Sequence, residues 1–92
     1  MATQKLDSKL YETVVRITQI YLGPAADRFI ARQVQSHLHK VSDQISRAEL
    51  LLLIDWIKLA MSLLTEDSDI IEEYILQLKR LANPPKTKRS QS

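Results

Sequence analysis

The sequence predicts an all-α fold, a compact four-helix domain. Apolar residues recur at spacings of three and four, punctuating residues fall between those runs, and turn formers are scarce. The chain has one glycine, and two of its three prolines are adjacent near the C-terminus. A β-rich fold of this size draws on many Gly, Asn and Pro turns, so few, long elements are expected.

Leu6, Leu10, Val14, Ile17 and Tyr21 mark one face of a first helix over about 6–22, with Ile20 and Leu22 widening the stripe. Gly23 should stop it, because glycine takes the left-handed cap without steric cost. Pro24 then suits the first position of a second helix, 24–40. Ala26, Phe29, Ile30, Val34, Leu38 and Val41 form its apolar face, while Asp27, Arg28, Arg32, Gln35 and His39 lie mostly away from it. The polar stretch Lys40 to Ile45 reads as a loop.

Ser46-Arg47-Ala48-Glu49 has the form of a capping box, with Ile45 and Leu50 at the staple positions. It opens a third helix, 47–64, that is apolar nearly all round, with Asp55, Lys58 and Ser62 as its only polar line. Such a helix has to be covered on several sides, so helix 3 is expected at the centre of the fold or against another chain. Thr65 to Asp69 supplies capping and first-turn residues for a fourth helix, 69–82. Ile70, Ile71, Tyr74, Ile75, Leu78 and Leu81 give its buried face, and Lys79 and Arg80 suit its last turn. Asn83 and Pro84-Pro85 end it. The helical domain therefore spans 1–83, followed by a disordered basic tail over 84–92.

Composition narrows the function classes. There is no cysteine, which excludes disulfide and thiol chemistry and fits a reducing, cytoplasmic setting. The N-terminal residues hold no apolar stretch of the signal-peptide kind. The longest apolar run, Leu50 to Ile54, falls far short of the roughly 20 residues a membrane span needs. The net charge of +2 is unevenly spread: residues 1–48 carry +3, residues 49–83 carry −4, and the tail adds +3 through Lys86, Lys88 and Arg89. The pI near 9.0 is thus mostly a property of the tail, and it argues little for nucleic-acid binding.

Candidate chemistry is thin. His37 and His39, two apart on a helix, point about 200° from each other and cannot share a metal. His37 with Lys40 one turn later allows a phosphotransfer reading, but the glycine that keeps such a surface open is missing. Glu66, Asp67, Asp69, Glu72 and Glu73 lack the alternation and the glycine of a calcium loop, so capping and a solvated acidic face explain them better. Arg28 and Arg32, with Lys40 beyond them, form a modest basic strip on helix 2. A helix-turn-helix is disfavoured by the loop of about six residues between helices 2 and 3. No cofactor and no metal site are expected.

The stretch Tyr21-Leu22-Gly23-Pro24-Ala25-Ala26, followed by Phe29-Ile30 and Leu38, then Ser46 to Leu50 and Leu78, resembles a small helical domain of unassigned function. That domain is found appended to bacterial serine/threonine kinases and other signalling proteins. The resemblance covers about residues 10–82, and its distinctive element is the Gly-Pro-Ala corner. No kinase or receiver domain accompanies it here, and helix 3 is longer and more apolar than in that family. The resemblance implies bacterial signalling or regulation and carries over no catalytic residue.

The expected function is a non-enzymatic regulatory or adaptor domain acting by protein–protein interaction as a homodimer. Leu51, Trp56, Leu59 and Leu63 are its candidate interface. The alternative is a nucleic-acid-associated regulator using Arg28, Arg32, Lys86, Lys88 and Arg89; the third is a histidine phosphotransfer-like protein through His37. No membrane partner is expected.

Overall fold

A computed structural model describes residues 8–40 and 43–83. These residues form α1 (Ser8–Leu22), a 3-10 turn (Gly23–Ala25), α2 (Ala26–Leu38), α3 (Arg47–Leu64) and α4 (Ser68–Ala82), with no strand among them. The expected tail at 84–92, with Lys86, Lys88 and Arg89, lies outside the described residues, as do Leu6 and Val41.

Four separate helices were expected, and this needs correction. α1 passes into α2 directly through the 3-10 turn, with no loop between them, so the described residues make three helical segments, the first bent at its middle. The bend sits at Gly23, whose φ of +63° is the left-handed conformation that glycine adopts without a Cβ clash. Pro24 lies at the start of the 3-10 turn, where its missing N–H costs nothing, and helical geometry resumes at once. The corner therefore redirects the helix instead of ending it. Helix 2 also closes earlier than 40: Leu38 is its last residue, and His39 takes a left-handed cap at φ 57°.

The four helical rods pack as a ring, α1 against α2, α2 against α3, α3 against α4 and α4 against α1. Each turns one stripe inward. The core joins Leu10, Tyr11 and Val14 of α1 with Ile30 and Val34 of α2. Leu50, Leu53, Ile57 and Met61 of α3 and Tyr74, Ile75 and Leu78 of α4 complete it. Helix 3 was expected at the centre or against another chain; it is one rod of this ring, and like every rod it has an outer side. Its neighbours cover one face only.

Two polar contacts tie α1 to α4. The Thr18 hydroxyl donates to the Val14 carbonyl at 2.7 Å, so its oxygen accepts from the Tyr74 hydroxyl at 2.6 Å, both groups buried. One turn further along α1, Tyr21 accepts from Gln77 Nε2 at 2.7 Å, and its ring lies 5.0 Å from that of Tyr74.

Candidate protein interface

The surface that stands out is the outer side of α3, and its orientation begins at the helix start. Ser46 Oγ accepts from the Glu49 N–H at 3.1 Å and Glu49 Oε1 accepts from the Ser46 N–H at 2.9 Å, which completes the capping box. The staple residues Ile45 and Leu50 are fully buried. Lys40 adds an ion pair to the same Glu49 oxygen at 3.0 Å, joining the end of α2 to the start of α3. Burial alone would raise the Glu49 carboxyl, but the Ser46 N–H, the Ser46 hydroxyl and Lys40 together hold it below its ordinary value. These contacts fix which side of α3 faces inward.

The inward side is Leu50, Leu53, Ile54, Ile57 and Met61. The outward side carries Leu52 at 65% exposure, Trp56 at 47%, Leu59 at 60% and Leu63 at 85%. Leu51 and Leu64 are also exposed on its flanks. Three of the four interface candidates therefore share one row with Leu52. Leu51 stands to one side, lining a groove of about 590 Å³ between α3 and α4 with Ile54, Asp55, Lys79, Arg80 and Asn83. Leu52 escaped the sequence reading because it lies within the run Leu50 to Ile54, where nothing distinguishes inner from outer leucines. The spacing of four to Trp56 was the signal available.

Trp56 is held in place. Its ring stacks on that of His37 from α2, with centroids 4.2 Å apart and planes within 7°. No periodicity argument could find this pair, since it depends on how α2 crosses α3.

The remaining candidates do not converge. Arg28 and Arg32 are exposed on α2, but Lys40 is committed to Glu49 and does not extend their strip. His37 has its face against Trp56, and His39 closes α2. In the acidic segment Asp67 accepts from the N–H groups of Asp69 and Ile70 at 3.1 and 3.2 Å, and Thr65 Oγ1 accepts from the Asp67 N–H. That is helix capping. No group of three or more His, Cys, Asp or Glu side chains among the described residues is placed to hold a metal ion. No helix among them is long and apolar enough to cross a membrane.

No family model, curated protein or solved structure matches this chain.

Proposed function

We propose that this chain is a non-enzymatic regulatory or adaptor module that works by protein–protein contact, by pairing with a second copy of itself through the outer side of α3. The supporting observation is the row Leu52, Trp56, Leu59 and Leu63, four large apolar side chains left in solvent on one side of a single helix. Isolated exposed leucines are ordinary, but a contiguous row centred on a positioned tryptophan is the composition of an interface. The Gly23-Pro24-Ala25 corner supports a place in bacterial signalling, in the cytoplasm, by the resemblance noted above.

Light scattering across a concentration series tests the pairing. The module should approach the mass of two chains as concentration rises, and a single-chain mass at high micromolar concentration would defeat the proposal. The nucleic-acid reading, which keeps exposed Arg28 and Arg32 and the tail lysines, predicts salt-sensitive binding to duplex DNA or RNA. The interface reading predicts none.

A further inference from the structure

We infer that the second copy packs antiparallel, with a two-fold axis crossing α3 between Trp56 and Leu59. This rests on the self-association proposed above and adds to it an orientation and a register. Three observations carry it.

The first is spacing. Leu52, Trp56, Leu59 and Leu63 are separated by four, three and four residues, which is the seam of two helices packed side by side. Centred between Trp56 and Leu59, an antiparallel pair sets Leu52 of each copy against Leu63 of the other, and Trp56 against Leu59. Large then meets smaller at the centre. A parallel pair would instead set Trp56 against Trp56.

The second is charge. After the three-residue link Thr65–Asp67, α4 runs back alongside α3. Its basic end, Lys79 and Arg80, lies beside Leu51, Ile54 and Asp55 in the first half of α3. Its acidic end, with Asp69, Glu72 and Glu73 next to Glu66 and Asp67, lies beside the second half. Along α4 each copy is thus basic at one end and acidic at the other, with exposed Asp55 and Lys58 of α3 as single opposite charges beside them. Antiparallel packing lays the basic end of one copy over the acidic end of its partner, twice by symmetry. Parallel two-fold packing would instead set α4 of each copy against α2 of the other and leave these two ends without that pairing. The dipoles of the two α3 helices favour the same choice.

The third is area. With exposures between 47 and 85%, the row and its neighbours Leu51 and Leu64 leave a patch on the order of 600 Å² per copy. The flanking charged side chains bring the contact towards the ~800 Å² per partner of a stable interface.

The chain has no cysteine, so introduced thiols are the only ones present. Leu52→Cys and Leu63→Cys are each placed at an exposed position, where folding is not at risk, and equal helicity by circular dichroism confirms this. Mixed and mildly oxidised, the two variants should give a disulfide-linked heterodimer, while neither alone should crosslink. Crosslinking of each variant with itself would overturn the antiparallel register and leave self-association standing. No crosslink from the mixed variants, when the wild type is two chains by scattering, would also overturn the register. A wild type that stays a single chain would overturn both readings and leave the face to a different protein. As an independent measure, Lys79→Glu/Arg80→Glu should weaken association about tenfold at low salt, and added salt should weaken the wild type. Unchanged association in the charge-reversed variant would contradict the proposed pairing of ends.

Discussion

Thr18 and Tyr74 show how much depends on single polar atoms in this core. Burial pushes the Tyr74 phenol up to about 12, although its hydrogen bond to Thr18 works in the opposite direction. The fold therefore favours the neutral phenol. Its contribution to stability is complete below the ordinary value of 10.0 and is lost as pH rises from there towards about 12. Tyr74→Phe should cost about 1 kcal/mol at neutral pH and remove this alkaline loss, read from denaturant unfolding at several pH values. Thr18→Val should cost more, about 1–3 kcal/mol, because it strands the buried phenol hydroxyl. Glu49 carries the opposite sign. Its lowered carboxyl contributes above the ordinary carboxylate range and loses that contribution as pH falls through the lowered value. In acid melts, the stability gap between wild type and Glu49→Gln should close with falling pH; a constant gap would show that the charge contributes nothing.

At the scale of elements, much was legible in the sequence and some of it was not. The start of α3 was legible because capping is local: Ser46 and Glu49 are three residues apart, and both reciprocal bonds form. The left-handed Gly23 was legible for the same reason. The continuation of helix through the corner was not, since it depends on α2 packing back on α1. Nothing lies within 4 Å of a Cβ built at Gly23, so Gly23→Ala meets no steric neighbour, and its cost is backbone strain alone, roughly 1–2 kcal/mol. Gly23→Asn should cost less, which equilibrium unfolding would resolve. Thr18 was missed as a core residue because an apolar stripe does not count a polar group that finds a partner inside. Within α3 two leucines ten residues apart should behave oppositely. Leu53→Ala empties a fully buried site and should cost about 2–5 kcal/mol, whereas Leu63→Ala, at 85% exposure, should stay within about 0.5 kcal/mol in the single chain.

For the whole molecule, apolar content was a sound guide to fold class and a poor guide to position. A helix rich in leucine on every side was expected at the centre, yet a ring of four rods has no centre for a rod to occupy. The inner stripe of α3 satisfies the core, and the surplus is turned outward, most of it as a row that includes Trp56, stacked on His37, with Leu51 and Leu64 on its flanks. Which leucines are surplus is decided by the rotation of α3, which the capping box, the staple and the Lys40–Glu49 pair set jointly. Interface and core are thus two sides of the same helix, and a variant on one should leave the other intact. Leu59→Glu should keep full helicity and abolish association.

Trp56 is the single tryptophan of the chain, and it sits within the row that pairing would cover. Its fluorescence, followed with acrylamide quenching over a wide concentration range, reports directly on whether that side of α3 leaves water. The emission should move to shorter wavelength and the quenching should fall as concentration rises, with neither change in Leu59→Glu. Emission and quenching that stay constant from dilute to concentrated wild-type protein would contradict the central claim.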